Sequence, residues 1–341
     1  MLRTLPPEIW CMTFDYISDK PSLCNILAVC RHFRRLVEPI LYADAAFPTY
    51  PMRAKLDSFL DAIEGPRALL VRTLNFDALD IRHHELEVID SILIKTPNLK
   101  FLSLRRPTLP HVQFLETPPF LLTSLKITFV PLDPPFVRFL ESQTSLEYLS
   151  LQTFIRESQP VLRFSPTAFP NLKALAARDT VLGCFACVPL SSLTHFHGNP
   201  SGLLRAHLNT LLVLCCHVRL GHLATLCANI EWLQIHGSMD ASSDIAHARP
   251  SLRLRGIRVV LSPTPLRQAP ANFEQHFDAA PSLEFVEICS TAGPHHVCHR
   301  WYRGSHQPIE IRWKCKQGSE WQADWLKDVD ILTSQLERSY S

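Results

Sequence analysis

Glycine is scarce in this chain, 10 among 341 residues, and no two of them form G-x-G or a Walker-type loop. Backbone must approach phosphate closely at such glycines, so the usual nucleotide-binding fingerprints are excluded. His84-Glu85 lacks the second histidine of H-E-x-x-H, and no G-x-S-x-G elbow occurs. The one near-sequon, Asn199-Pro200-Ser201, is blocked by its proline. Charge bias is missing too: 34 Lys and Arg stand against 32 Asp and Glu, and the basic residues are dispersed. A phosphate-tracking surface needs clustered cations, so no nucleic-acid partner is expected. The longest apolar run, 211–216, is hemmed in by Asn209, His217 and Arg219, far short of the ~20 residues that cross a bilayer, so no membrane is expected either. Pro6, Pro7 and Glu8 interrupt any charged-then-apolar leader pattern. Eleven cysteines, an odd number at irregular spacing, read as reduced thiols in a cytoplasmic or nuclear protein.

What is present is an ordinary globular balance, 46% hydrophobic and 19% charged, in a chain long enough for two domains or one elongated one. The first forty-odd residues have helical spacing. Pro6 and Pro7 suit a helix start, and Glu8 then sits at the positive end of the helix dipole. Ile9, Trp10, Thr13, Phe14 and Ile17 follow on one helix. Asp19-Lys20-Pro21-Ser22 reads as a turn and a second start, with Leu23, Ile26, Leu27 and Cys30 as its apolar stripe. A third helix is expected from Arg31 to about Val37, with Phe33, Leu36 and Val37 inward and Pro39 ending or kinking it.

The string from Leu5-Pro6 through Val29-Cys30-Arg31 and Phe33-Arg34 to Tyr42 resembles an F-box, the helical module that docks onto a Skp-family adaptor of a cullin–RING ubiquitin ligase. The resemblance implies adaptor contacts at Leu5, Pro6, Ile9, Phe14, Leu23, Val29 and Phe33. Thr13 departs from the aliphatic residue usual beside the phenylalanine. The plainer alternative is a helical cap in which Leu5, Phe14 and Val29 are core.

From residue 53 to 63 apolar residues at 56, 59, 60 and 63 predict a helix that Gly65-Pro66 ends. Then L-x-x-L-x-L recurs at intervals of roughly 18 to 29 residues: Val71/Leu74/Phe76, Leu99/Leu102/Leu104, Leu122/Leu125/Ile127, Leu146/Leu149/Leu151, Leu172/Leu175/Ala177 and Leu193/Phe196/Gly198. It continues weakly in Leu211/Leu214/Cys216, then in Ile230/Leu233/Ile235, Leu254/Ile257/Val259 and Leu283/Val286/Ile288. Such a period predicts leucine-rich repeats, one short parallel strand each along a horseshoe. Alternation then sends sets such as Thr73/Asn75, Phe101/Ser103, Ser124/Lys126, Tyr148/Ser150, His195/His197 and Trp232/Gln234/His236 to a solvated concave face. The turn Asn or Cys of regular repeats is missing, its place held by Pro107, Val130, Phe154, Thr180, Ser201 and Ser238. The array is similar to the irregular ones found behind F-boxes, particularly in fungi. Ile309, Ile311 and Trp313 alternate like one more strand, and Trp321, Trp325, Leu326, Val329 and Leu336 predict an amphipathic capping helix.

The expected fold is therefore α/β: a small three-helix F-box at 1–45, a helical connector at 46–69, a leucine-rich-repeat solenoid at 70–313 and a capping helix at 314–341. Tyr148, His195, His197, Trp232 and His236 are the candidate substrate surface, since large side chains on a rigid sheet anchor partners. Cys184 and Cys187 have the gap of a zinc knuckle but no second pair at matching spacing. Cys289, His295, His296, Cys298 and His299 form the densest set of ligand types, in a segment read as a loop. No metal, cofactor or catalytic residue is expected. The function expected is a non-enzymatic substrate receptor of a Skp–cullin–F-box ligase that binds a protein target. The alternatives are a repeat scaffold without a ligase role and, more remotely, a Cys/His metalloenzyme.

Overall fold

The computed structural model describes residues 6–17, 19–47, 52–76, 83–105, 117–154, 162–198, 203, 205–208, 210–216, 229–237, 253–261, 277–278, 280–290, 295–305 and 308–314. Two compact units, 1–210 and 211–341, divide the chain. The first unit opens with α1 (Pro7–Asp15), α2 (Lys20–Val29) and α3 (Arg31–Ala43). Contrary to the expected stop near Val37, α3 runs through Pro39 to Ala43. Pro39 and Arg35 are both exposed, so the carbonyl that loses its amide partner faces water. Leu36, Ile40 and Leu41 pack on the core around Val37 and hold the second half of the helix in place.

Helix α3 passes without a linker into a strand that the sequence reading missed, β1 (Asp44–Ala46). Six more strands follow: β2 (Thr73–Phe76), β3 (Phe101–Arg105), β4 (Ser124–Pro131), β5 (Tyr148–Phe154), β6 (Ala174–Ala177) and β7 (His195–His197). Each pairs in parallel with the one before it. The motif positions fall in register: Leu74, Leu102, Leu125, Leu149, Leu175 and Phe196 form one row, and Phe76, Leu104, Ile127, Leu151 and Ala177 the next. All of them are buried, while the residues between them are mostly half-exposed. The alternation read from sequence therefore describes these strands correctly.

One backbone device recurs at the starts of β3 to β7. The Arg72 carbonyl accepts the amides of both Lys100 and Phe101, at 2.8 and 3.0 Å. The carbonyls of Lys100, Thr123, Glu147 and Lys173 repeat this toward β4, β5, β6 and β7. Side chains just before the motif leucines add a second tie, Asn98 Nδ2 donating to the Leu69 carbonyl and Asn171 Nδ2 to that of Thr144. Behind the sheet, α4 (Met52–Ala62) ends at a 3-10 turn over Gly65–Leu70, as the spacing predicts. Leu56 and Ile63 are buried alongside Ile89, Ile92 and Leu93 of α5 (His83–Lys95). Between β4 and β5 lies α6 (Pro134–Ser142), capped by Asp133, which accepts the Phe136 amide at 2.9 Å. Two short helices complete the unit, α7 (Asp179–Leu182) and α8 (Arg205–Leu208).

The second unit repeats the pattern with β8 (Val213–Cys216), β9 (Trp232–Gly237), β10 (Gly256–Leu261) and β11 (Phe285–Ser290), all parallel. Leu214, Leu233, Ile257 and Val286 are its in-register buried row. Then the direction reverses. β12 (His295–Tyr302) and β13 (Ile309–Lys314) are antiparallel, so the segment at 295–299 read as a loop is strand. β13 is the further strand expected at Ile309, Ile311 and Trp313. Of the capping helix expected at 314–341, Lys314 ends β13 and the rest lies outside the described residues.

Leu125 is 1% exposed, and Leu125→Ala removes a filled position in the buried row. Chemical denaturation of the variant shows a loss of about 3–5 kcal/mol; Asn171→Ala, which breaks a single tie, costs about 1 kcal/mol. A pH effect follows from His207, whose Nε2 accepts the Leu190 amide and so must be unprotonated. Burial pushes its pKa down, against a smaller rise from a hydrogen bond with the Val188 backbone. The folded state therefore binds this proton less readily than the unfolded chain, and stability falls as pH drops below 6.5. The melting temperature declines between pH 7 and 5.5, and declines less in His207→Gln.

Candidate functional site

The N-terminal module is built around Phe14, Leu23 and Val37, with Trp10, Ile17, Phe33 and Leu36 packed against them. Three rings interlock: Trp10 stacks on Phe14 at 5.7 Å between centroids, and Phe33 meets Trp10 at 4.9 Å and Phe14 at 5.5 Å edge-on. The helix starts are fixed locally. Asp19 accepts the Ser22 amide at 2.9 Å, and hydrogen bonds from Ser22 hold its carboxyl below the usual range. Cys30 caps α3 by accepting the Phe33 amide at 3.4 Å.

The expected adaptor residues divide between the inside and the outside of this module. Phe14 and Leu23 are 4% exposed and belong to its core, and Phe33 packs on it. Pro6 is exposed, as are Ile9 at 43% and Val29 at 67%. Leu5 lies outside the described residues. Met12 at 58% and Tyr16 at 87% join Ile9 on one stripe of α1, opposite Trp10, Phe14 and Ile17. Apolar periodicity identifies the buried stripe of a helix, and so Met12 and Tyr16 escaped it. Their signal was apolar side chains three and seven residues beyond Ile9, on the face the core does not use. Thr13 is exposed beside them, its hydroxyl donating to the Ile9 carbonyl at 2.8 Å. The 3-10 turn is tied to the module. Arg67 of the 3-10 turn pairs with Glu38 at 2.8 Å and lies over the Tyr42 ring, both on α3.

The expected substrate residues fall in different units. In the first, Tyr148 is 38% exposed and His195 and His197 are half-buried on the same face of the sheet. Nδ1 of His195 is 2.7 Å from the Thr194 hydroxyl. In the second, Trp232 is not exposed as expected but 4% accessible. Its ring clusters with Val213 and Phe285, 5.6 Å from the Phe285 centroid, across Gly256. A Cβ on Gly256 would come within 2.9 Å of Phe285 and closer still to Trp232, so only glycine lets the two rings approach. His236 is in β9, its side chain outside those described.

The next row on this face is charged and buried. Glu287, fully inaccessible, sits between Arg258 at 2.8 Å and Arg300, which grips it through Nη2 and Nε. Burial opposes the charge on Arg300, but the Glu287 carboxylate holds its pKa above the usual value. Arg300 also lies over the Phe285 ring at 4.4 Å. This is a structural lock: removing one member of a buried ion cluster strands the others.

Among the described residues no group of three or more His, Cys, Asp or Glu side chains is placed to hold an ion; the side chains of His295, His296 and Cys298 lie outside those described. Cys184 is buried, and burial raises its pKa; Cys187 is exposed, and both are free thiols. Cys289 is disulfide-bonded, contrary to the expectation of reduced thiols throughout, and its cross-strand neighbour is Cys298. Among the described residues no helix is long and apolar enough to cross a membrane.

Glu287→Ala costs about 3–5 kcal/mol in denaturant titration. Gly256→Ala lowers the melting temperature and changes the tryptophan fluorescence as Trp232 is displaced.

Residues 2–47 match the family model described as F-box-like, a span that ends just after β1. No curated protein matches the chain. F-box domains are typically adaptors rather than enzymes, and they bind a Skp-type adaptor of a cullin–RING ligase. The chain thus carries an F-box-like domain at its N-terminus, which points to substrate recognition for an SCF-type ubiquitin ligase.

Proposed function

We propose that this protein is the substrate receptor of a Skp–cullin–F-box ligase, docking the adaptor with its helical module and a target protein with its strands. The observation that carries the reading is the apolar stripe of Ile9, Met12 and Tyr16, joined in exposure by Pro6 and Val29, on a module whose core is already filled. Apolar side chains grouped outside a complete core mark a binding surface. In this reading Leu5, Pro6, Ile9 and Val29 touch the adaptor together with Met12 and Tyr16, while Phe14, Leu23 and Phe33 set the helix angles that present them.

The strand units are, on the same proposal, degenerate leucine-rich repeats of a horseshoe, supported by the in-register motif rows. Its polar face, including Tyr148, His195 and His197, receives the target. In this reading no group on the chain needs to do chemistry. Holding a target beside the charged conjugating enzyme raises the effective concentration of its lysines, and that alone accelerates transfer.

Co-expression with a Skp-family adaptor tests the reading. The full chain retains the adaptor through purification, and Ile9→Asp with Tyr16→Asp weakens retention at least tenfold at an unchanged melting temperature. Both substituted positions are exposed, so the core is untouched. Equal retention by the double variant sinks the proposed contact.

A further inference from the structure

The polar face of the first unit's sheet carries a regular pattern that the motif leucines do not explain. Along the row that opens the strands stand Phe101, Ser124, Tyr148, Ala174 and His195, one per strand and in register. A ring alternates with a small side chain across five strands. Neighbouring strands lie about 4.8 Å apart, so the rings recur about every 9.6 Å. The row beside it, Ser103, Lys126, Ser150, Ala176 and His197, is mostly small and lets a chain lie close.

Peptide conformations differ in the repeat they offer to such a row. A β-strand returns a side chain to the same side about every 6.7 Å. An α-helix does so at about 5–6 Å. A polyproline II helix has three residues per turn at 3.1 Å each, a repeat of about 9.3 Å. A helix face returns again after seven residues, about 10.5 Å, so the polyproline II repeat keeps the closest step with the rings over the row. Flat proline rings packed on aromatic side chains are also the usual way such helices are held.

Charge narrows the class further. Arg72 and Lys100 are exposed at the strand starts next to this row. Their side chains donate to the carbonyls of Asn98 and Leu121, which leaves both positive charges unneutralised. Among the described residues the acids of the strip are Asp44, at the β1 end, and Glu147, which Lys173 pairs at 3.0 Å. Among the described residues, Arg72 and Lys100 leave a basic surplus around β2 and β3.

We propose that this face docks an acidic, proline-rich segment of the target in polyproline II conformation, with a proline at every third residue set against Phe101, Tyr148 and His195. The inference deepens the receptor reading and rests on it only for the name of the bound partner.

The test uses the full chain and a fluorescein-labelled nonapeptide with prolines at its second, fifth and eighth positions and Asp or Glu at the others. Fluorescence anisotropy rises to saturation with this peptide. A peptide of the same composition with prolines at every second position binds at least tenfold more weakly, and so does one with Lys in place of the acids. Tyr148→Ala raises Kd about tenfold, Tyr148→Phe leaves it unchanged, and Arg72→Glu with Lys100→Glu raises it again, all at an unchanged melting temperature. No saturable binding, equal binding of the every-second-residue peptide, or no effect of Tyr148→Ala overturns the proposal. Adaptor retention is measured on the same preparations. Retention without peptide binding overturns this inference and leaves the receptor reading standing. Peptide binding in register without retention supports the docking face and removes the ligase role.

Discussion

A single backbone carbonyl that accepts two amides from the following strand sets the register of this protein. It occurs at Arg72, Lys100, Thr123, Glu147 and Lys173 in the first unit and at Leu212, Glu231 and Arg255 in the second. Parallel pairing tolerates no slip of one residue, because a slip would turn every buried leucine outward. The doubled hydrogen bond fixes the first residue of β3 to β7 and of β9 to β11, and alternation does the rest. Burial of the motif rows, the polar face opposite them and the spacing of the rings on that face all depend on it.

The same constraint separates two kinds of surface. In the first unit the face opposite the leucines is half-exposed and holds polar, small and aromatic residues in order. In the second unit the equivalent positions are closed by Trp232, Phe285 and the Arg258–Glu287–Arg300 cluster. Strand geometry is alike in both, so the difference lies in side-chain size and charge. A surface residue becomes a core residue when its cross-strand neighbour is a glycine flanked by a second ring.

Much of this was legible in the sequence. Helical spacing marked Phe14, Leu23 and Val37 as inward, and the L-x-x-L-x-L frame placed β2 through β11 with the correct face buried. The misses have separate physical causes. β1 is Asp44-Ala45-Ala46, too short and too small to alternate visibly; it is a strand because α3 delivers it against β2. β12 is rich in histidine and polar residues, and its pairing partner reverses direction, which no repeat period encodes. Pro39 ended a helix on paper, but tertiary packing of Ile40 and Leu41 outweighed one lost hydrogen bond at the surface. Alternation predicted which way Trp232 points and was silent on what stands beside it. The F-box string was read from residue order. Its exposed stripe was hidden because periodicity reports burial, and a docking face is the part that is not buried.

Sequential pairing also bears on how the chain is made. Within each unit every strand lays down beside the one synthesised just before it, about two dozen residues earlier. The growing polypeptide therefore meets its template as soon as it emerges, and no strand waits for a distant stretch yet to be translated. The antiparallel return of β12 and β13 follows the same rule with shorter turns. Assembly can run from one end like a zip, with the three-helix module complete before the first leucine row begins. An error near the start of a unit is then inherited by the later strands of that unit, whereas one near its end spoils only the last few. Lesions early in the array should accordingly be the most damaging to yield in the cell.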